Sequence, residues 1–126
     1  FHLATEIRNP FASIVLSSLT QAPIQRSDKL LLTACARWEN TGVKWNERYT
    51  LWDNWGHGPT LIEPVNGWIL LKELDGAVGI LLTPLDGAGQ PLTKEAFEGR
   101  RLEIGWEIEI GFTEFPTNQY LIEIIR

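Results

Sequence analysis

The stretch RRLEIGWEIEIG, residues 100–111, alternates between apolar and charged side chains. Its apolar positions hold Leu102, Ile104, Trp106, Ile108 and Ile110, and its acidic positions hold Glu103, Glu107 and Glu109. Because successive side chains of a strand point to opposite faces, this period of two predicts a half-exposed β-strand or hairpin. Gly105 interrupts the pattern, as a bulge does. Trp106 lies on the apolar side and is predicted to be structural.

Seven further runs rich in apolar and β-branched residues predict strands around this stretch. They cover residues 1–8, 11–19, 29–38, 59–65, 67–74, 78–86 and 119–126. The run KLLLTACARW, residues 29–38, is predicted to be buried inside a sheet or between two sheets, with Cys35 as a small buried thiol. Eight or nine short strands with almost no helix predict an all-β fold, an antiparallel β-sandwich of the jelly-roll kind.

Turn residues predict how some of these strands are joined. Asn66-Gly67 is typical of a tight hairpin turn, so residues 67–74 are predicted to run antiparallel to residues 59–65. Asp75-Gly76 repeats the signal before the next strand. The piece LTKEAFEG, residues 92–99, has helical spacing but is short, which leaves a helical turn and an irregular crossing as alternatives.

Length and composition restrict the class of protein. With 126 residues and 44% apolar residues, the chain is expected to be one domain, residues 1–126, with an ordinary core that needs no disulfide. A net charge of −5 with dispersed acids argues against nucleic acid and against anionic membrane as partners. The chain begins at Phe and contains no Met, which suggests a piece excised from a longer protein.

Four of the six Trp lie within RWENTGVKWNERYTLWDNWGHGPTLIEP, residues 37–64. Because residues 38–58 keep neither strand nor helix period, this stretch is predicted to be a long functional loop. Sugars are bound by aromatic faces beside planar polar groups, and the loop offers both. The predicted ligand-binding residues are Trp45, Asn46, Glu47, Arg48, Tyr49, Trp52, Asp53, Asn54, Trp55 and His57. Trp38 could be structural or ligand-binding, and Trp68 is predicted to be structural.

Catalytic and metal sites find less support in the residues. His2 and His57 are far apart and lack Cys or acidic ligands at metal spacing, and no Gly-x-Ser-x-Gly nucleophile motif is present. The enzymatic alternative is a small glycosidase that uses a pair of carboxylates beside an aromatic cleft. Its candidate acids are Glu39, Glu47, Asp53 and Glu63.

Four segments together resemble the β-sandwich domains that are appended to bacterial (β/α)8-barrel glycoside hydrolases. They are RWENTGVKWNERYT (37–50), WGHGPTLIEPV (55–65), DGAGQPL (86–92) and NQYLIEIIR (118–126), with residues 39–64 the most specific part. The resemblance runs from about Phe11 to the end of the chain. It implies a non-catalytic accessory domain of a secreted, extracellular enzyme, either a carbohydrate-binding module or a structural domain. Such modules often hold a structural calcium ion, but no oxygen-ligand motif stands out here.

The leading hypothesis is therefore a carbohydrate-binding module without catalytic activity or cofactor. Its expected partners are a plant-type β-glycan (β-glucan, xyloglucan, xylan or mannan) and the catalytic domain of the same polypeptide. The first alternative is a structural β-sandwich whose Trp-rich loop packs on a catalytic barrel. The second alternative is the small glycosidase.

Overall fold

The computed structural model describes residues 2–126; Phe1, which the sequence assigns to the first strand, lies outside the described residues. The described chain forms eleven strands and one short 3-10 helix, Ile24–Arg26. The strands are β1 (His2–Ile7), β2 (Ser13–Ser18), β3 (Lys29–Cys35), β4 (Trp38–Thr41), β5 (His57–Ile62), β6 (Gly67–Lys72), β7 (Gly79–Leu85), β8 (Phe97–Glu98), β9 (Arg100–Leu102), β10 (Gly105–Ile110) and β11 (Gln119–Ile125).

Nine of these strands form two antiparallel sheets that pack against each other. One sheet has the order β1-β6-β10-β9 and the other has the order β2-β3-β11-β7-β8. The predicted all-β antiparallel sandwich is confirmed. The strand count exceeds eight or nine because β4 forms inside the predicted loop, β8 forms after the crossing, and residues 100–111 divide into β9 and β10.

The core lies between the two sheets and is built from alternate residues of their central strands. Ile122 of β11 stands opposite Leu30 of β3 on one side and Leu82 of β7 on the other, and all three side chains are buried. In the facing sheet Ile69 of β6 stands opposite Ile108 of β10. Each such side chain contributes about 1.5–3 kcal/mol on burial. The period of two in the sequence therefore identifies the core correctly.

The residues of the alternating stretch 100–111 form a hairpin, β9–β10, rather than one strand. Trp106 is buried, which confirms its structural assignment. Ile104 lies in the turn between the two strands and is exposed, so its predicted place on the core side is wrong. The reversal of the chain at the turn takes Ile104 out of the alternation.

The strand β3 is central in its sheet, between β2 and β11, as its apolar sequence predicts. Its outer face is only half-buried because no second layer covers that side of the sheet. Cys35 lies on this outer face and is half-buried rather than buried, with the Asn118 amide donating to its Sγ at 3.8 Å.

The predicted hairpin at Asn66-Gly67 is wrong, because β5 pairs with β4 whereas β6 pairs with β1 and β10. A Cβ on Gly67 would lie 2.1 Å from the carbonyl oxygen of Glu6. This glycine therefore permits the close approach of β1 and does not make a hairpin turn. The repeated signal at Asp75-Gly76 is also not a hairpin, since it carries the chain from β6 in one sheet to β7 in the other.

Residues 92–96 form an irregular connection that leads to β8. Of the two predicted alternatives for this segment, the irregular crossing is therefore present and the helical turn is not. An isolated helix of this length would be marginal, whereas Leu92 N and Gly99 N each donate to a carbonyl of β7. Within residues 2–126 no helix has the length and apolarity that crossing a membrane requires.

Candidate functional site

A two-stranded ribbon stands apart from both sheets and carries most of the exposed aromatic side chains. It consists of β4, a loop over residues 42–56, and β5, and we call residues 38–62 the arm. The stretch predicted as one continuous loop is thus a loop with paired flanks. Neither face of the ribbon is covered by a second layer, so its strands need no alternation of apolar and polar residues, and the period of two is missing from the sequence.

Five aromatic side chains of the arm are exposed to solvent. They are Trp38, Trp45, Tyr49, Trp52 and Trp55, with exposed fractions between 54% and 84%. Single exposed apolar residues are ordinary, whereas a concentration of large exposed rings on one element is a feature typical of interaction surfaces.

The arm is fixed to the sandwich at its base by Asn9, which precedes β2. The Asn9 amide donates to Glu63 Oε1 at 3.2 Å and to the carbonyl of Pro64 at 3.0 Å. Its own Oδ1 accepts from the backbone N–H of Asn66 at 2.8 Å. One side chain therefore connects three positions just beyond β5, more than 50 residues away in sequence.

An ion pair reinforces the same base. Arg37 Nε lies 2.7 Å from Glu63 Oε2, and the backbone N–H of Glu63 donates to the Arg37 carbonyl at 2.8 Å. The Arg37 hydrogen bond lowers the pKa of Glu63 below its ordinary value, against partial desolvation, and the Asn9 hydrogen bond adds to the lowering. A general acid needs a raised pKa, so this carboxyl is suited to anchoring the arm.

Side chains within the arm hold its loop to the ribbon. The Asn40 amide donates to the Trp55 carbonyl at 3.0 Å and its Oδ1 accepts from Thr60 Oγ1 at 2.8 Å. Gly56 has φ +71°, and a Cβ at this position would lie 2.4 Å from the Thr41 carbonyl oxygen. Only glycine fits this close approach, which places Trp55 beside the ribbon.

Asn46 organises the far part of the loop. Its Oδ1 accepts from the backbone N–H groups of Arg48 at 2.9 Å and Thr50 at 3.0 Å, and its backbone carbonyl accepts from Tyr49 N. These bonds make a tight turn that holds Tyr49 at φ +56°, a conformation that bulky residues seldom adopt. Asn46, predicted to contact ligand, has its side chain engaged by the loop itself.

A groove runs between the arm and the segment before β2. Four aromatic rings line it, those of Phe11, Trp38, Trp45 and Tyr49, together with Ala36, Arg37 and Glu39, and its volume is about 760 Å³. Phe11 reaches the groove because Ser13 pairs with Cys35, so the residues before β2 run beside those after β3. Trp45 Nε1 donates to Glu39 Oε2 at 3.4 Å. We call this the aromatic groove.

A second groove of about 460 Å³ lies at the base of the ribbon. Arg37, Trp38 and Glu39 of the aromatic groove also border it, and Leu61, Ile62 and Glu63 complete it. Trp38 and Ile62 share one face of the ribbon, whereas Leu61 shares the other face with Glu39.

The structure brings together only two of the ten predicted ligand-binding residues, Trp45 and Tyr49, in the aromatic groove. Trp52 and Trp55 are exposed elsewhere on the arm. The six remaining predicted residues are also exposed outside this groove: Asn46, Glu47, Arg48, Asp53, Asn54 and His57. Arg37 and Phe11 were missed by the sequence prediction, and Trp38 was left open. No local pattern identifies Phe11, because its position beside the arm depends on the pairing of β2 with β3.

The titratable side chains of the described residues are mostly dispersed or exposed. Among residues 2–126 no group of three or more His, Cys, Asp or Glu side chains is placed to hold a metal ion. His57 Nδ1 lies 2.7 Å from its neighbour's carbonyl at Gly58, and His2 lies 3.3 Å from Glu73. Glu39, Glu47 and Asp53 are exposed.

Comparison of the chain with models of protein families, with curated proteins and with solved structures finds no match in any of the three.

Proposed function

We propose that this domain is a non-catalytic carbohydrate-binding module. It binds a plant-type β-glycan, such as a β-glucan, xyloglucan, xylan or mannan, through the aromatic side chains of the arm. It thereby holds an attached glycoside hydrolase on an extracellular polysaccharide. The observation that carries the proposal is the concentration of five exposed aromatic rings on one projecting arm.

The chemistry of a β-glycan matches what the arm offers. A pyranose ring has an apolar C–H face that packs on an aromatic ring, and its hydroxyl groups need donors and acceptors at the rim. Arg37 and Glu39 lie among the rings and supply both kinds of group. The two residues carry opposite charges, which suits a neutral chain better than a polyanion.

Several features favour binding over hydrolysis. Glu39, Glu47 and Asp53 are exposed, and Glu63 is engaged by Arg37 and Asn9. A glycosidase needs two carboxylates on either side of one sugar, with one of them kept protonated by its surroundings. The exposed acids of the arm instead suit hydrogen bonding to hydroxyl groups.

Affinity electrophoresis against a panel of soluble β-glucan, xyloglucan, xylan and mannan tests the proposal. The wild-type domain is expected to be retarded by at least one neutral polysaccharide, and Trp45→Ala is expected to reduce that retardation. Val78→Ala is the matched control, because Val78 is an exposed apolar residue just before β7 and outside the arm. Unretarded migration of the wild type in every gel would contradict the proposal.

A second candidate function is a structural role, in which the arm packs on the catalytic barrel of the same polypeptide. The observation that favours it is apolar exposure on both faces of the ribbon, with Ile62 beside Trp38 on one face and Leu61 on the other. Five aromatic residues of about 150–250 Å² each, more than half exposed, present on the order of 700 Å². That is close to the ~800 Å² per partner of an ordinary protein interface.

Oxidation of tryptophan by N-bromosuccinimide, read by peptide mass spectrometry, separates the two functions. In the structural role the arm residues Trp38 and Trp45 are oxidised in this domain and protected in the full-length polypeptide. In the binding role they are oxidised equally in both and are protected when the bound glycan is added. Trp106 is the internal control, because it is buried within this domain and should resist oxidation in every sample.

A further inference from the structure

The aromatic rings of the arm fall into two groups with different surroundings. Trp45 and Tyr49 join Trp38 and Phe11 in the aromatic groove, whereas Trp52 and Trp55 do not line it. The first group therefore offers four rings to one ligand at the same place.

We infer that the aromatic groove is the glycan-binding subsite of this domain and that it takes a neutral β-glycan chain. This inference rests on the proposed function and adds the residues that contact the ligand and the charge of the ligand. Phe11 and Trp38, which lie outside the predicted set, are its distinguishing contacts.

The size and lining of the groove match a chain of sugar rings. Its volume of about 760 Å³ falls within the roughly 300–1,000 Å³ of ordinary small-molecule sites. Its walls come from two separate segments, with Phe11 on the sandwich and the other rings on the arm.

The polar residues of the groove are held in place before any ligand arrives. Arg37 is held by Glu63, which Asn9 ties to the sandwich, and Glu39 Oε2 accepts a hydrogen bond from Trp45 Nε1. Arg37 has five N–H donors, of which Glu63 engages those at Nε and Nη2. The remaining donors of Arg37 and the second oxygen of Glu39 are available to sugar hydroxyls. Binding to a site that is already ordered costs less conformational entropy.

The charges of the groove argue for a neutral ligand. Arg37 is already neutralised by Glu63, and Glu39 adds a carboxylate to the lining. A polyuronate would bring further negative charge to a domain whose net charge is −5. Neutral glucans, xylans and mannans meet no such repulsion.

Isothermal titration calorimetry with cello-, xylo- and mannohexaose tests this inference. Trp38→Ala and Phe11→Ala are each expected to weaken the binding of the preferred hexasaccharide by about 10-fold or more, as loss of an aromatic anchor does. Trp52→Ala is the matched control, because it removes the same ring type from the same arm outside the groove, and it should change affinity less than about twofold. Trp38 and Phe11 are exposed, so near-ultraviolet circular dichroism should find all three variants folded.

Three results would overturn this inference while the proposed function survives. The first is loss of hexasaccharide binding in Trp52→Ala equal to that in Trp38→Ala. The second is unchanged hexasaccharide binding in both Trp38→Ala and Phe11→Ala. The third is tighter binding of carboxymethylcellulose, an anionic β-glucan, than of any neutral polysaccharide. A wild-type domain that binds no glycan in any form would overturn the proposed function and this inference together.

Discussion

Replacing Asn9 by alanine tests how the arm is held to the sandwich. The substitution removes the amide donors to Glu63 Oε1 and to the Pro64 carbonyl, at 3.2 and 3.0 Å, and the oxygen that accepts from Asn66 N at 2.8 Å. All three bonds are partly buried, and all lie where the chain leaves the arm and enters β6. The arm is expected to become more mobile at its base.

The magnitude follows from these three contacts. A typical intramolecular hydrogen bond contributes about 1 kcal/mol net, and a donor left unpaired in a buried place costs about 1–3 kcal/mol. Part of this cost is recovered because water can reach a partly buried site. We therefore expect Asn9→Ala to lower the free energy of unfolding by about 2–4 kcal/mol.

Urea unfolding followed by circular dichroism measures this change, and trypsin cleavage within the arm reports its local opening. Asn118→Ala is the matched control, because the Asn118 side chain makes one weak contact, 3.8 Å to Cys35 Sγ, and should cost less than about 1 kcal/mol. Cleavage after Lys44 and Arg48 should accelerate in Asn9→Ala and not in the control. Unfolding within about 0.5 kcal/mol of the wild type, with unchanged cleavage, would refute the anchoring role.

Three further predictions concern the core, the ion pair and catalysis. Trp106→Ala should cost about 3–5 kcal/mol on thermal or urea unfolding, because it empties a buried site; wild-type stability would show that Trp106 is not a core residue. Glu63 has a lowered pKa in the folded state. Its bond to Arg37 therefore stabilises the folded domain fully when the pH is above 4.5, the ordinary pKa of a Glu side chain, and this stabilisation is lost as the pH falls through the folded-state pKa. The urea midpoints of wild type and Arg37→Gln should therefore differ near neutral pH and converge in acid, and a gap that stays constant would contradict this. The wild-type domain should release no reducing sugar from β-glucan, xylan or mannan, and Glu47→Gln and Asp53→Asn should alter affinity by no more than about 1–3 kcal/mol. Hydrolysis that either substitution abolishes would favour the glycosidase.

The sequence by itself determined the fold class and most of the core. Ile108 and Ile110 are buried because a strand in which apolar and charged residues alternate is stable in a sheet only when its apolar side faces the core. The apolar run of residues 29–38 likewise predicted a central strand, since an edge strand would expose such a run to water. The sequence also located the aromatic region within residues 37–64, because its composition is unlike that of the strands.

Only the tertiary structure decided which strands pair and which residues meet at the site. Asn66-Gly67 carries the local signal of a hairpin, yet β6 pairs with β1 and β10, because burial of Ile69 and Leu71 between the sheets outweighs a turn preference. Phe11 reaches the aromatic groove, and Asn9 reaches Glu63, through contacts between segments more than 20 residues apart. Such contacts depend on the whole arrangement of strands, and side chains that contact ligand need no periodic pattern because they are not packed in the core.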